Sequence, residues 1–382
     1  MKIAYVLHDY RRAGVGQTRY VGELARRFSH NHEVHVFANR IERDLDSIRF
    51  HHVPACRWNA LAGTLTFALT SSLQIHNGFD IIHSQGFCGF YGNVFTAHIC
   101  NRAWHRALQK LEGGVTLRES IFNAFATGLE YATYRRSRGC EVIAVSQRVA
   151  DDIRTLYHCP ASMHVIYHGV DLQLFSPEKR PLFRKQVREE LGLGPDFTFL
   201  FVGHLRKGVP RCLQALSRLP QGTLVCVSST PADSYRALAE RLGLGQRVRF
   251  VGFTDQVERI YAAGDALLLP SPYDSFGMVV TEAMASGLPV VVSREAGACE
   301  LIQNGVNGLI LNDVNSESEL VGLMQSLVND PERAASMGRA ARQSVESLSW
   351  DSVARETMQV YEELLASKES SKILTAKRYQ DG

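Results

Sequence analysis

Short apolar runs alternate with amphipathic stretches along the whole chain, and this alternation occurs twice. The apolar runs are too short for helices and are rich in Val, Ile and Phe, which predicts buried strands. The longer stretches between them repeat apolar residues at helical spacing, which predicts helices that cover a sheet. Strands that alternate with helices form parallel sheets. The sequence therefore predicts an α/β protein with two doubly wound, Rossmann-like domains.

The first set of predicted elements ends near residue 145, and the second begins near residue 197. The strands predicted in the first set are Ile3–Leu7, Glu33–Ala38, Ile48–Val53, Ile81–Ser84, Val94–His98 and Glu141–Val145, and its helices are Tyr20–Phe28, Ala60–Ile75 and Ile121–Arg135. The strands predicted in the second set are Phe197–Val202, Leu224–Ser228, Val248–Val251, Ala266–Leu269, Pro289–Ser293 and Gly308–Leu311, with helices near Arg211–Arg218, Ala232–Leu242 and Gln256–Ala263.

The boundary between the two domains is predicted in the polar segment that follows Val165–Asp171. The first domain then covers residues 1–178 and the second covers 179–350. Two such domains facing each other leave a cleft, which is the favoured place for a ligand. The last helical pattern predicts a further helix at about 351–366, and the polar residues 367–382 are expected to fray.

Composition excludes several classes of protein. The chain has 382 residues, 45% of them hydrophobic, and a net charge of +3, which is too small to indicate a nucleic-acid partner. Its eight cysteines form no C-x-x-C pair, so we expect reduced thiols and no zinc site. The N-terminus is unlike a signal peptide, and no apolar run approaches the roughly 20 residues of a membrane span. We expect a cytoplasmic protein that is at most peripheral to a membrane.

Two carboxylates flank a predicted helix start in the second domain. Asp274 lies in a loop after an apolar run, and Glu282 lies in the helical pattern that follows. A helix start exposes free N–H groups, so the backbone at Phe276, Gly277 and Met278 is suited to a diphosphate. Carboxylates repel phosphates and accept hydrogen bonds from hydroxyls. A ligand that carries both phosphates and hydroxyls is a nucleotide sugar.

A basic loop follows the first predicted strand of the second domain. Arg206 and Lys207 lie where that strand ends, at the edge of the sheet that favours ligands. Two cations there can neutralise a diphosphate through charge-assisted hydrogen bonds worth about 1.5–3 kcal/mol each. They would also make a nucleoside diphosphate a better leaving group without a metal ion or a proton donor.

The carboxylate segment resembles the Glu-x7-Glu signature of glycosyltransferase family 4, the retaining GT-B glycosyltransferases, with Asp274 at the first Glu position. The resemblance implies that Asp274 contacts hydroxyls of the transferred sugar and that Glu282 holds the ribose. The basic loop is similar to the family's motif ending Lys-Gly, most closely to the Arg-Lys-Gly form of lipopolysaccharide core glucosyltransferases. His204 stands where many family members carry Arg, and His168 replaces a more usual Asn. The likeness extends over nearly the whole chain, and in the family the last helix crosses back to the first domain.

Two features of the first domain also resemble the family. The glycine-rich loop after the first strand would place Gly14 and Gly16 against the donor phosphate. Arg19 occupies the third glycine position of a dinucleotide fingerprint, which argues against a dehydrogenase. His98 ends another predicted strand and resembles the family's active-site His, which contacts the donor sugar near the reacting carbon. The resemblance thus implies catalytic roles for His98, Asp274, Arg206 and Lys207, and no metal or other cofactor.

The acceptor is expected to bind the first domain. Between residues 99 and 138, seven Arg and Lys residues outnumber three Glu residues, with apolar residues interleaved. This stretch is either an ordinary solvated helix face or a surface for an anionic membrane or a phosphorylated glycan. The sequence leaves the donor base, the sugar, the acceptor, the linkage and the oligomeric state open.

The resulting hypothesis is a retaining, metal-independent hexosyltransferase. It would move a sugar from a nucleotide diphosphate sugar, expected to be a UDP-sugar, to a glycan or lipid-linked acceptor in cell-envelope polysaccharide or lipopolysaccharide biosynthesis. The alternative is a non-catalytic protein that binds a nucleotide sugar and has lost transfer. The departures at Asp274, His204 and His168 are the reason for keeping that alternative.

Overall fold

The computed structural model describes residues 1–11, 16–43, 45–75, 78–109, 114 and 116–380. The chain forms two compact units. The first unit contains Met1–Gly169 and Trp350–Gly382, and the second contains Val170–Ser349. Strands and helices are numbered along the chain, and each unit is an α/β layer structure of the class that the sequence predicts.

The first unit is built on a parallel seven-stranded sheet in the order β5-β3-β1-β6-β7-β8-β9, with β2 and β4 forming a small separate pair among the described residues. Its strands are β1 Lys2–Val6, β2 Asp9–Tyr10, β3 Glu33–Ala38, β4 Arg40–Ile41, β5 Ile48–His52, β6 Ile81–Gln85, β7 Val94–Ala97, β8 Glu141–Ala144 and β9 Ser162–Val165. Its helices are α1 Gln17–Phe28, α2 Ala60–Gln74, α3 Asn101–Gln109, α4 Leu117–Arg135, α5 Gln147–Tyr157 and α13 Trp350–Gln380.

The second unit has a parallel six-stranded sheet in the order β12-β11-β10-β13-β14-β15. Its strands are β10 Thr198–Val202, β11 Thr223–Val227, β12 Val248–Val251, β13 Ala266–Leu269, β14 Val290–Ser293 and β15 Leu309–Leu311. Its α-helices are α6 Lys179–Glu190, α7 Val209–Arg218, α8 Asp233–Arg241, α9 Val257–Ala263, α10 Met278–Ala285, α11 Glu317–Asn329 and α12 Pro331–Ser344, with 3₁₀ helices at Leu205–Lys207 and Gly297–Leu301.

The central strands of both sheets are buried and mostly apolar, whereas the edge strands are partly exposed. In β10, for example, Phe199, Leu200 and Phe201 are consecutive and all fully buried. Such a run is typical of a parallel strand covered by helices on both sides. Each buried side chain of this size stabilises the fold by about 1.5–3 kcal/mol relative to an exposed one.

The C-terminal helix belongs to the first unit through a buried hydrogen-bond network. The hydroxyl of Tyr361 on α13 lies 3.1 Å from the Tyr5 hydroxyl and 2.6 Å from Nδ1 of His83. The Nε2 atom of His83 lies 2.6 Å from Oγ1 of Thr96. Burial lowers the pKa of His83 to about 3, so the ring is neutral and suited to this apolar surrounding.

The division between the units falls at Gly169 and Val170, ahead of the predicted boundary at residue 178. The segment after Gly169 packs within the second unit. The Val170 N–H donates to the Leu348 carbonyl at 2.8 Å, and the Arg342 guanidinium donates to the Phe175 carbonyl at 2.9 Å. Phe175 is also part of the second unit's apolar core. These hydrogen bonds and the burial of Phe175 place the segment after Gly169 in the second unit, although the composition of that segment is polar.

No described helix combines the length and the apolar character that a membrane span requires.

Candidate functional site

Each unit contains its own group of candidate functional residues, and each group lies where the strand order of its sheet reverses. In the second unit that point is between β10 and β13, and in the first unit it is between β1 and β6. Loops at the carboxyl ends of strands flanking such a point diverge to opposite faces and leave a crevice, which is where open α/β sheets bind ligands. Both groups include residues that the sequence identified.

In the second unit, a sharp turn connects β13 to α10. Gly277 is the residue before the helix and has φ of 92°, a left-handed conformation that favours glycine. A Cβ atom at this position would lie 3.1 Å from a methyl carbon of Leu269. The turn thus requires Gly277 and starts the helix at Met278, with its first N–H groups directed away from the helix.

Asp274 is held in the turn by its own backbone. Its N–H donates to the Glu295 carbonyl at 3.1 Å, and its carbonyl accepts from the Gly297 N–H at 2.9 Å. The Phe276 side chain is buried, and its carbonyl accepts from the Ala298 N–H at 2.6 Å. These bonds fasten the turn to the loop after β14. Asp274 is 9% exposed, so its carboxylate is mostly desolvated.

Lys207 forms an ion pair with Asp274. The Lys207 ammonium donates to Oδ2 of Asp274 at 2.8 Å; the Asp274 side chain is largely buried, whereas the Lys207 side chain is 32% exposed. Lys207 ends the 3₁₀ helix after β10, whereas Asp274 follows β13, and these two strands are neighbours in the sheet. The structure therefore brings together two residues that the sequence assigned separately.

Gly208 makes this ion pair possible. A Cβ atom at Gly208 would lie 2.9 Å from Cγ of Pro270, the first residue of the turn between β13 and α10 (residues 270–277), which is called the carboxylate turn because it contains Asp274. A side chain there would push the basic loop away from the turn. The glycine that follows the basic pair is thus explained by the close approach of two loops.

The other basic-loop residues shape the 3₁₀ helix. Nδ1 of His204 accepts the Arg206 N–H at 3.3 Å, and the residue acts as an N-cap. Burial, together with the charges of Lys207 and Arg206, lowers the pKa of His204. Arg206 is half-buried beside Lys207 on the same 3₁₀ helix. His204 therefore has a structural position in the loop and is expected to stay neutral near pH 7.

Glu282 lies on α10 and is 8% exposed. Its Oε2 accepts a hydrogen bond from the Tyr261 hydroxyl at 3.1 Å. The same hydroxyl lies 3.2 Å from the Val279 carbonyl. Glu282 is therefore oriented by a neighbour on α9, which the sequence did not identify because no local pattern marks Tyr261.

In the first unit, His98 follows β7 and is oriented by Gln85, the last residue of β6. The His98 Nε2 atom lies 2.8 Å from the Gln85 side-chain oxygen. The ring stacks on His168 at 5.6 Å between centroids and meets the edge of Tyr20 at 5.1 Å. Burial holds the pKa of His98 well below its ordinary value of 6.5, and the neighbouring His168 and His83 lower it further. His98 is thus a neutral imidazole with a fixed orientation.

The glycine-rich loop leads into the same region. Gly14 lies outside the described residues, and Gly16 is the residue before α1, with φ of 58°. The side-chain amide of Gln17 lies 3.4 Å from the Gln85 carbonyl. The start of α1 is therefore next to the residue that holds His98. Gln85 was missed in the sequence, although a polar residue ending an apolar strand is a signal for it.

Among the described residues, no group of three His, Cys, Asp or Glu side chains is arranged to hold a metal ion.

Two protein-family models match the chain. The model described as Glycosyltransferase Family 4 matches residues 15–174, and the model described as Glycosyl transferases group 1 matches residues 183–344. The first match covers most of the first unit before α13, and the second covers most of the second unit. The second match includes the basic loop, the carboxylate turn and α10.

Individual proteins and structures agree with these matches. The chain is 28% identical over 297 residues to the uncharacterized glycosyltransferase MJ1607 of Methanocaldococcus jannaschii, which covers 74% of this chain and 75% of that protein. The crystal structure of WaaG, a glycosyltransferase involved in lipopolysaccharide biosynthesis, superposes with a TM-score of 0.80 at 21% identity, over 94% of this chain and 99% of WaaG. Anabaena HepE, solved in complex with UDP-glucose, gives a TM-score of 0.70 at 21% identity, over 97% of this chain and all of the HepE chain.

Proposed function

The chain belongs to glycosyltransferase family 4, the glycosyl transferases group 1, and has the two Rossmann-like domains of the GT-B fold, and we propose that it is a retaining hexosyltransferase that uses a UDP-sugar. The sugar is transferred to a glycan or lipid-linked acceptor in cell-envelope polysaccharide or lipopolysaccharide biosynthesis. The reaction needs no metal ion. The protein acts in the cytoplasm, at the inner face of the cell membrane.

The observation that carries this proposal is the ion pair between Lys207 and Asp274 at the start of α10. A lysine ammonium has three donors, so Lys207 can bind a phosphate oxygen while it remains bonded to Asp274. The helix start adds N–H groups and the positive end of the helix dipole. The carboxylate beside them has a second oxygen that can accept hydrogen bonds from sugar hydroxyls. The basic loop and the carboxylate turn together thus offer hydrogen-bond donors for the diphosphate and a carboxylate for the sugar.

The cations also provide the chemistry that the reaction needs. When the bond between the sugar and the diphosphate breaks, negative charge accumulates on the leaving diphosphate. Lys207 and Arg206 stabilise that charge most strongly in the transition state, which lowers the barrier. This makes a metal ion unnecessary for leaving-group departure. Glu282, oriented by Tyr261, would accept hydrogen bonds from the ribose hydroxyls.

His98 is suited to bind the sugar as a neutral group. Because the Gln85 side-chain oxygen accepts a hydrogen bond, it selects the His98 tautomer that carries the proton on Nε2. The Nδ1 atom is then a hydrogen-bond acceptor, and it is buried without a hydrogen-bond partner among the described residues. A sugar hydroxyl can donate to it. Gly16 allows the backbone before α1 to approach the donor phosphate, and Gly14 has the same expected role.

The UDP part of the proposal is supported by HepE, a structural neighbour that was solved with UDP-glucose. The lipopolysaccharide part is supported by WaaG. The non-catalytic alternative is not favoured, since the matched family and the neighbours are described as glycosyltransferases and the substituted Asp274 still pairs with Lys207.

The proposed function is tested by incubating the purified protein with UDP-, GDP- and ADP-sugars and following them by time-resolved mass spectrometry. We expect slow release of UDP and free sugar from one UDP-sugar, because water replaces the missing acceptor. Heat-denatured protein is the control. Release from none of the donors would contradict the proposal, and binding without release would favour the non-catalytic alternative.

Changing Gln85 to Glu is expected to shift the pH profile of this activity. In the native protein, burial keeps the pKa of His98 low, so the ring is neutral and active well below pH 6.5. A carboxylate at position 85 would stabilise the imidazolium and raise the pKa of His98. The acidic limb of kcat/KM against pH should therefore move to higher pH. The control variant Gln85→Met adds no charge, so it should lower activity without moving the acidic limb. An identical pH profile in the Gln85→Glu variant and the native protein would refute the role of Gln85 in holding His98.

A further inference from the structure

Glu130 on α4 is a carboxylate buried inside the first unit. It is 1% exposed, and burial raises its pKa to about 7. Burial of a carboxylate is unfavourable unless hydrogen bonds satisfy its oxygens. The partners that the structure describes for it are Asn101 and Tyr157, and neither of them is a cation. The hydrogen bonds that Glu130 accepts must therefore account for its position.

Both oxygens of Glu130 accept hydrogen bonds from the start of α3. Oε2 accepts the Asn101 N–H at 2.8 Å, and Oε1 accepts the side-chain amide of Asn101 at 2.7 Å. Oε2 also accepts the Tyr157 hydroxyl of α5 at 2.6 Å, and that hydroxyl accepts the Arg102 N–H at 3.2 Å. The first N–H groups of a helix have no partner within it, and the helix dipole stabilises a negative charge there. Glu130 therefore caps α3 from a neighbouring helix and links α3 to α4 and α5.

The segment that Glu130 anchors is the one that carries His98. Strand β7 ends at Ala97 and α3 begins at Asn101, so the three residues 98–100 connect them. On the strand side, Ala97 is fixed in the sheet by its pairing with Ala144 on β8. The His98 backbone thus lies between two fixed points, which are the sheet and the carboxylate of Glu130.

The ring of His98 is held separately from its backbone. Its Nε2 atom lies 2.8 Å from the side-chain oxygen of Gln85, which belongs to β6. If the start of α3 shifted, the His98 backbone would move while Gln85 stayed in the sheet. The Nδ1 atom, which the proposed function assigns to a sugar hydroxyl, would then be misplaced. A misplacement of about 1 Å can lower a rate by about 10²-fold.

We propose that Glu130 is a positioning residue for His98, and that its carboxylate fixes the start of α3 so that the His98 ring keeps the orientation required to bind the sugar. Glu130 acts through Asn101 and does not touch the substrate. The proposal deepens the proposed function and rests on it for the role of His98. A carboxylate that only stabilised the fold would leave the His98 ring and the turnover of the folded protein unchanged.

The Glu130→Gln variant is expected to lower kcat for UDP release by about tenfold, while the KM for the UDP-sugar changes by less than about twofold. Glutamine has nearly the same shape, but it offers one acceptor oxygen, and its NH₂ group would meet the NH₂ group of Asn101. The second unit is unchanged, so its contacts with the donor should persist. The Tyr157→Phe variant removes one of the three hydrogen bonds and should lower kcat by about threefold. Assays at about pH 8 keep the native Glu130 mostly charged.

A second measurement needs no substrate. Long-range proton–nitrogen correlation NMR of the native chain should show the two ring nitrogens of His98 at separate shifts, as expected for the single tautomer that Gln85 selects. The His98→Gln variant identifies these signals by their loss. In Glu130→Gln, and less strongly in Tyr157→Phe, the two shifts should move toward each other, because a loosened ring exchanges between tautomers.

The matched control is Glu141→Gln, which removes another carboxylate of the first unit. Glu141 pairs with His164 at 2.8 Å. It lies at the opposite edge of the sheet from His98, since its partner in the ladder is Val94, the first residue of β7. The control should change neither kcat nor the His98 signals.

The proposal is overturned if the His98 signals of Glu130→Gln and Tyr157→Phe are both native, or if both variants release UDP with the native kcat. It is also overturned if the control moves the His98 signals as far as Glu130→Gln does. If Glu130→Gln does not fold, Tyr157→Phe decides by the same criteria. A native chain that releases no UDP would contradict the proposed function, whereas the His98 signals would still decide whether Glu130 positions the ring.

Discussion

Changing Lys207 to Met is expected to lower kcat/KM by about 10²–10³-fold, which corresponds to about 3–4 kcal/mol of transition-state stabilisation. Methionine keeps the apolar stem of the side chain and removes the ammonium that pairs with Asp274. The leaving diphosphate then loses a cation that is already in place before the reaction. Removal of the charge should weaken binding of the UDP-sugar less than it lowers turnover, because the diphosphate gains its additional negative charge only as the bond to the sugar breaks.

Two further variants make this prediction specific. Lys207→Arg keeps the charge and should retain more activity than Lys207→Met. Arg218→Ala removes an exposed cation that pairs with Glu317 at 2.9 Å elsewhere in the same unit, and it should change kcat/KM by less than about twofold. If Lys207→Met retained native turnover with an unchanged melting temperature, the assignment of Lys207 to the leaving group would be wrong.

Changing Asp274 to Asn is expected to lower turnover by about 10²-fold. An amide is nearly the same size but has only one oxygen and no charge, so it accepts fewer hydroxyls and no longer holds Lys207. The backbone bonds of residue 274 to Glu295 and Gly297 do not involve the side chain and should keep the turn in place. The assay is release of UDP from the preferred donor, with UDP affinity measured in parallel.

The control for this change is Asp330→Asn in the same unit. Asp330 caps α12 by accepting the Arg333 N–H at 2.9 Å, and Asn caps helices about as well as Asp does. The Asp330→Asn variant should therefore leave turnover unchanged.

The Asp274→Glu variant separates the two functional hypotheses. Loss of activity in Asp274→Asn supports transfer by the native protein, whereas an inert native protein that gains activity as Asp274→Glu would support the non-catalytic alternative.

Much of the fold is predictable because burial of a parallel sheet leaves a strong signal. The predicted strands Glu33–Ala38, Val248–Val251 and Ala266–Leu269 match the structure residue for residue. The edge strand Ser162–Val165 was not predicted, because it is partly exposed and carries His164 in place of an apolar residue. Helix α5 was also missed, although Ser146 caps it by accepting the Val149 N–H.

The candidate site was only partly predictable for a different reason. Turn and helix-start signals are local, so Asp274, Gly277 and Glu282 were identified from adjacent residues. The ion pair between Lys207 and Asp274 joins positions 67 apart in sequence. It depends on β10 and β13 being neighbours, which is a property of the strand order and not of either loop. The same reason explains why Gln85 was missed beside His98, and Tyr261 beside Glu282.

The most direct test of the central claim is a calorimetric titration of the native chain and the Lys207→Met variant with UDP, GDP and ADP. The claim is that the basic loop, the carboxylate turn and the start of α10 form a site for the diphosphate of a UDP-sugar. We predict that the native chain binds UDP selectively and that Lys207→Met binds it more weakly, with the difference shrinking at high salt. Failure of the native chain to bind any of the three nucleotides, or UDP affinity that is the same with and without the Lys207 charge, would contradict the account.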